Sequence, residues 1–499
     1  MKELASIARI VTNRRQKVMP LLDFTQKPTQ SKELQLLHLL QTRDSVTMLQ
    51  AVRELYGSGS AVNQTALRKL KSRVQHKLFN NLFFLDYTDA RHPVYRRYEQ
   101  ECLDLLYQAG VLLREGEYVM SEKLYRRCQR LAAEGEFNQH EVTSLLGLRQ
   151  IYAEQRQAGK YRHAVKQLGA AERLLHIEQQ ASEIFWEAKM MLSDKVRIRQ
   201  QLLTKLPEFV RQMEVLYAQA PVFRVYDHLY KLRLMQQELS GDYEGIIQTT
   251  SESEKLWEAG KLNAKRFDRR YNMFYSVFAH LQARRLQAGL ELAAQYLSAF
   301  HRSSGNWFVF MEHYLLLAMH ASAYGKATEL LKMAFDNPFF SKLRTAAQQR
   351  WELYRAYLYF VAPENLPVRN LHFAQLMHVL PEYSRDKQGL NVAILILQFL
   401  YYLKQRNLEE VLSRLEGLRK YAGTHLREAA ALRGRLFFRL LQLTVTENFD
   451  EALCRRKGQP LLAKLAQTPM PGEAFAGIEI IPYENLWQLT LHLMEQVEQ

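Results

Sequence analysis

The sequence predicts an all-α fold, an α-solenoid of about nine helical hairpins. Three observations carry that expectation. Apolar residues recur at helical spacing along most of the chain. One kind of turn returns roughly every forty residues. Gly (21) and Pro (13) are scarce while Tyr (26) and Phe (24) are plentiful, which favours packed helices over a loop-rich β fold. The model stretch is Leu105–Leu131. Leu105, Leu106, Ala109, Leu112 and Leu113 precede the turn Gly116-Glu117-Tyr118, and Met120, Leu124, Cys128 and Leu131 follow it. A lone helical hairpin of this size cannot bury its apolar face, so it needs copies to stack against.

The copies are visible. Gly159-Lys160-Tyr161 is followed by Ala164, Gly241-Asp242-Tyr243 by Ile246, and Leu286 by Gly289. Tyr324 is followed by Ala327, Leu408 by Val411, and Phe449 by Ala452. Gly should end the first helix in a left-handed conformation, the aromatic should plug the gap, and the small residue should let the second helix approach. Two intervals are about double, so two further turns are expected near Leu206 and Leu366, where a proline can stop one helix and start another. First helices are placed near 99–115, 141–157, 182–203, 222–239, 267–285, 307–323, 346–361, 389–405 and 427–445.

On these residues the chain resembles bacterial tetratricopeptide-repeat (TPR-like) proteins, best over Leu105–Leu131 and Tyr152–Leu175, where Gly159, Tyr161, Ala164 and Ala171 match the family's small and aromatic positions. Beyond residue 180 the likeness decays to hydrophobic periodicity, and the units are longer than the family's usual ones. The resemblance implies a right-handed superhelix with a peptide-binding concave face lined by the first helices. It implies no reaction.

Residues 1–30 read as a helix followed by an extended arm broken by Pro20 and Pro28. Residues 31–94 read as a small basic helical unit. Ser31 can cap one helix, Asp44 or Ser45 a second ending at Tyr56, and Asn63 or Thr65 a third, after the break Gly57–Ser60. The third helix sets Leu67, Leu70, Val74, Leu78 and Leu82 on one side and Lys69, Arg73, His76, Lys77 and Asn80 on the other. That pattern resembles a helix-turn-helix unit, with Arg68, Lys69, Arg73 and Lys77 as phosphate contacts. A capping subdomain with a solvated basic face is the reading the pattern favours, since a charged outer face is the ordinary state of a surface helix. Residues 95–455 are assigned to the solenoid. Residues 456–499, with the turn-rich TPMPGEAFAG and a final amphipathic helix, are assigned to a cap over its last apolar face.

Several first helices carry Arg beside Tyr: Arg149 with Tyr152, Tyr230 with Arg233, Arg270 with Tyr271, and Tyr354 with Arg355. Arg forks pair with carboxylates and aromatics supply flat contact area, so a groove of such pairs suits an acidic or C-terminal peptide. For each residue the competing reading is packing for the tyrosine and solvation for the arginine.

The net charge is +16 and uneven: residues 1–97 hold 17 Lys and Arg against 7 Asp and Glu. Such concentration points to an acidic partner. The three cysteines form no CxxC, and Cys102 and Cys128 read as core residues of neighbouring helices, in keeping with a reducing cytoplasm. The longest apolar run, Val392–Tyr402, is too short to span a bilayer and reads as a buried helix. No membrane partner, metal or cofactor is expected. Gly325-Lys326-Ala327-Thr328 lacks the leading glycine of a phosphate loop, where His320 stands. His140-Glu141 lacks a second histidine, and the pairs His313/His320 and His372/His378 lack acidic or cysteine company. The leading expectation is a cytoplasmic, non-enzymatic protein- or peptide-binding scaffold. The alternative is a transcriptional or RNA-binding regulator with a TPR-like sensor. An enzyme without a recognisable motif ranks third.

Overall fold

A computed structural model describes residues 2–13, 15, 17–43, 46–89, 92–192, 196–363, 390–425, 432–470 and 479–498. Among these residues there are 21 α-helices and no strand. They divide into two compact units: residues 1–133 with 140–168, and residues 134–139 with 169–499.

The first unit opens with α1 (Lys2–Asn13), α2 (Lys32–Thr42), α3 (Met48–Tyr56) and α4 (Ala61–Asn81). Ser31 caps α2 as expected, its Oγ accepting from the Leu34 N–H at 3.2 Å. The other two caps differ from expectation. Thr47 starts α3 in a capping box, accepting from the Gln50 N–H while Gln50 Oε1 accepts from the Thr47 N–H at 2.9 Å. Ser60 starts α4 by accepting from the Asn63 N–H. Between them Gly57 closes α3 with φ near 79°, a conformation that a Cβ would oppose. Leu36 and Leu39 of α2, Ala51 and Val52 of α3, and Leu67, Leu70 and Val74 of α4 form one buried cluster, joined by Leu22 of the arm. The apolar stripe expected along α4 stops early: Leu78 is half-buried, and Leu82 is exposed on a short 3-10 turn, Leu82–Phe84.

Next come α5 (Val94–Arg114), α6 (Tyr118–Glu134), α7 (Asn138–Glu154) and α8 (Ala158–Met191), and the division between the units falls within α8. In the first unit Ala109, Tyr125, Leu148, Ile151, Tyr152 and Ala164 of these four helices share a core. Gly147 lies against the Tyr125 ring, so close that an added Cβ would fall inside it.

The second unit continues with α9 (Val196–Gln219), α10 (Phe223–Ser240), α11 (Tyr243–Glu258), α12 (Arg269–Gln282), α13 (Leu286–Tyr296), α14 (Gly305–His320), α15 (Tyr324–Phe335) and α16 (Thr345–Val361). It ends with α17 (Leu390–Lys404), α18 (Leu408–His425), α19 (Leu432–Thr446), α20 (Glu451–Gln467) and α21 (Tyr483–Glu498). Helices adjacent in sequence pack as neighbours throughout α9–α16 and again over α17–α21. The run at Val392–Tyr402 is indeed a buried helix, with Ile396, Leu397, Phe399 and Leu400 inside the largest core cluster.

One reversal is used again and again. Gly116, Arg156, Gly241, Arg284, Ser322, Arg406 and Asn448 all take positive φ where α5, α7, α10, α12, α14, α17 and α19 end. The following N–H reaches back to a carbonyl five residues earlier: Glu117 to Leu112, Gln157 to Tyr152, Asp242 to Gln237, Arg285 to His280. Ala323 to Ala318, Asn407 to Tyr402 and Phe449 to Thr444 repeat it. This is the Schellman closure, and it satisfies carbonyls that a helix end leaves open. In six of the seven the next helix begins two residues after the left-handed one; after Asn448, Phe449 is left-handed too and α20 begins at Glu451.

Three expectations about the turns are corrected. The turn before α8 is centred on Arg156, and Gly159 lies within the helix, so Tyr161 is exposed while Ala164 is buried. There is no turn near Leu206: α9 begins at Val196 and runs through Pro207 to Gln219. The apolar spacing Leu202, Leu206, Phe209, Met213, Leu216 continues through the proline and packs on α8 and α10, which outweighs the one hydrogen bond that proline removes. In α20 the buried position is Cys454, and Ala452 is exposed. The turn expected near Leu366 falls outside the described residues. Where small residues were expected at the close approach, Ala327 and Val411 are fully buried, and a Cβ on Gly289 would meet Leu317 Cδ2 at 2.8 Å and His280 Cβ at 2.9 Å.

Candidate functional site

The basic face of α4 follows from its amphipathic pattern. With Leu67, Leu70 and Val74 turned inward, the helical period places Arg68, Lys69 and Arg73 outward, together with Lys71. All four are exposed, and none has an ion pair among the described residues. Lys77 is different. Its Nζ lies 2.6 Å from Glu33 Oε2 in the first turn of α2, so its charge is largely spent inside the unit. Elsewhere in the unit Arg43 pairs with Glu54, and Lys32 sits over the Tyr56 ring at 3.8 Å. The unmatched cations are thus concentrated on one side of one helix, where they attract polyanions at low ionic strength.

The Arg/Tyr pairs do not behave alike. Tyr152 is buried; its hydroxyl donates to Glu122 at 3.0 Å and accepts from Arg126 Nε at 3.2 Å, with Lys160 over its ring. Arg149, one turn earlier, is half-buried. Tyr230 is buried and donates to Asn272 Oδ1 at 2.8 Å, and burial holds its hydroxyl well above the ordinary phenol range. Tyr271 packs against Tyr275 and Tyr230, and burial raises it to about 12. Arg233 is two-fifths exposed and pairs with Glu214 at 2.6 Å. Arg270 pairs with Asp268 at 3.4 Å. Tyr354 is fully buried with its hydroxyl on Glu312, which also holds Arg350. Arg355 pairs with Glu352 and lies over the Phe335 ring. Three of the four tyrosines are therefore interior, and their polar tips are satisfied by side chains of neighbouring helices.

Sequence reasoning missed the most heavily bonded charged group in the second unit. Arg433 is 2% exposed, inside the apolar α19. It donates to Glu479 at 2.9 and 3.0 Å, to Glu484 at 2.9 Å, and to the Leu465 and Thr468 carbonyls. Arg284, in its left-handed turn, also reaches Glu484 at 3.1 Å. His320 Nε2 lies 2.6 Å from the Glu479 carbonyl, and Asn485 donates to Ser322 Oγ. Burial pushes the Glu479 carboxyl up against the pull of Arg433, and pushes His320 down to about 4. These contacts fasten the segment before α21 to the turns that follow α12 and α14. The trace in the sequence is an arginine at a core position of α19, and its carboxylate partners come from 46 and 51 residues away.

Cys102 and Cys128 are buried and free on α5 and α6, as expected. The Cys454 thiol is pushed up to about 11, first by burial. No group of His, Cys, Asp and Glu suited to a metal occurs among the described residues, and no described helix is long and apolar enough to cross a membrane.

The class defined by this architecture is an all-helical chain of successive hairpins. No protein-family model matches it, and neither a curated protein nor a solved structure does.

Proposed function

We propose that the chain is a non-enzymatic scaffold that binds an acidic protein or peptide along a face built from its first helices. The observation that carries this reading is the recurrent reversal: one closure, used repeatedly within each unit, sets successive helices side by side. Tyr152, Tyr230 and Tyr354 act as packing within their own units; in the second unit contact falls to Arg233 and Arg270, while Arg149 belongs to the first unit. The test is capture of a partner from cells followed by reconstitution from purified components. Arg233→Glu with Arg270→Glu is expected to weaken the reconstituted complex about tenfold or more with the melting temperature unchanged. Equal affinity for the double variant would remove these residues from the site, and failure of every captured protein to bind directly would remove the scaffold reading.

A second reading has its own observation, the unpaired cations of α4. In it residues 31–94 bind nucleic acid and the hairpins sense a ligand. Purified full-length chain would then bind duplex DNA or RNA with an affinity that falls steeply with salt, and Lys69→Glu with Arg73→Glu would abolish it. No retardation at low salt would dismiss it.

A further inference from the structure

The end of α4 carries a second feature that neither reading uses. Asn80 and Asn81, its last two residues, reach across to the arm: Asn80 Nδ2 donates to the Pro20 carbonyl at 2.8 Å, and Asn81 Oδ1 accepts from the Leu22 N–H at 3.0 Å. Leu22 is drawn into the core, but its neighbours are not. Within three residues of these bonds stand exposed apolar side chains from both segments. Leu21 and Phe24 come from the arm; Phe79, Leu82, Phe83 and Phe84 come from the helix end. Phe83 is 78% exposed and Phe84 67%. Monomeric soluble proteins seldom expose so many large apolar groups together, and such patches mark contact surfaces.

The patch is flanked by cations. Arg15, Lys17 and Lys27 flank it on the arm, and Arg68, Lys69 and Arg73 lead up to it on α4, all exposed. Two carboxylates are close by, Asp23 accepting from Thr25 and Asp86 from Thr88, and the six cations outnumber them. The surroundings are therefore net positive.

The geometry points to this two-segment apolar tip as a docking site for an anionic lipid surface. Three features select that occupant. The cationic flank matches acidic headgroups, each Lys or Arg near such a surface contributing about 1 kcal/mol. It also disfavours a second copy docking through the same face, since like charges would meet. In the 3-10 turn Leu82–Phe84, three residues make one revolution, so their side chains leave in three directions. A folded partner would need a socket for that shape, whereas fluid hydrocarbon closes around it. Finally, the patch mixes Leu21 and Leu82 with the rings of Phe24, Phe79, Phe83 and Phe84, and acyl chains can surround both kinds of side chain. This departs from the sequence expectation of no membrane partner, which rests on the lack of a spanning segment; peripheral attachment needs only a few apolar side chains and a basic flank.

The experiment is co-sedimentation of the full-length chain with vesicles of phosphatidylcholine alone and of phosphatidylcholine mixed with phosphatidylserine. Binding to the mixed vesicles only, weakened by salt, is expected. Phe83→Ser with Phe84→Ser should cut the partition about tenfold or more, and Phe24→Ser in the other segment should lower it as well. Both variants should melt as the parent does, because the residues are exposed. Absence of sedimentation with either vesicle overturns the proposal, as does equal binding to both. Loss of a labelled single-stranded oligonucleotide in the Phe variants, without vesicle binding, would overturn it in favour of nucleic acid. A dimer in the parent that the Phe variants dissociate would overturn it in favour of self-association.

Discussion

The region around Arg433 and the region around α4 use arginine in opposite ways. At Arg433 the guanidinium is buried, bidentate to Glu479, shared with Glu484 and capped by two backbone carbonyls. On α4, Arg68 and Arg73 are exposed and opposed by no carboxylate among the described residues. The first arrangement consumes charge to hold distant segments together. The second leaves charge over, beside apolar side chains that nothing in the unit covers. The same residue type thus marks architecture in one place and a candidate contact surface in the other, and burial with partner count tells them apart.

That contrast predicts where substitutions hurt. The largest effect is expected from Arg433→Ala, which strands the buried Glu479; loss of about 3–5 kcal/mol in chemical denaturation would agree, and loss under 1 kcal/mol would put the pair on a par with surface ones.

Next comes pH. Burial holds His320 and His228 neutral down to about 4, against an unfolded value near 6.5. The unfolded chain therefore takes up protons first. Stability should fall as pH drops from about 6.5 toward 4, by at most about 1.4 kcal/mol per pH unit for each histidine. Glu479, Glu484, Arg284 and Arg433 surround His320, while Asp227, Arg224, Lys231 and Arg266 act on His228, so the parent slope is a sum. The diagnostic is the difference: His320→Gln should flatten the slope between pH 5 and pH 7, and an unchanged slope would show that His320 does not titrate there.

Gly289→Ala should cost about 1–3 kcal/mol, because the new methyl meets the His280 Cβ, which cannot move alone. Unchanged stability would mean that α12 and α13 separate freely. The smallest change in the hairpins is expected at Arg156→Gly, which relieves a left-handed arginine and should raise stability by at most about 1 kcal/mol. On α4 the expected stability change for Lys69→Glu with Arg73→Glu lies within about 0.5 kcal/mol. A drop larger than that would make the basic face structural and erase the contrast.

The candidate sites were only partly legible. The α4 cations could be read because one period fixes both faces of a helix, and exposure of Arg68, Lys69 and Arg73 follows from burial of Leu67, Leu70 and Val74. Lys77 could not, because its partner Glu33 belongs to another helix. The Arg/Tyr pairs were legible as composition but not as surface: whether Tyr230 meets solvent depends on Asn272, forty-two residues on.

By itself the sequence determined the helical class, the buried helix at Val392–Tyr402 and the cadence of reversals near Tyr118, Tyr243, Leu286, Tyr324 and Leu408, all local consequences of apolar period and of how a helix can end. Tertiary structure decided the rest. It carried α9 through Pro207, chose Arg156 over Gly159 as the left-handed residue, drew Arg433 inside, and set the arm beside the end of α4. In each case the deciding energy comes from contacts between segments far apart in the chain, which a single proline, glycine or charge does not reveal locally.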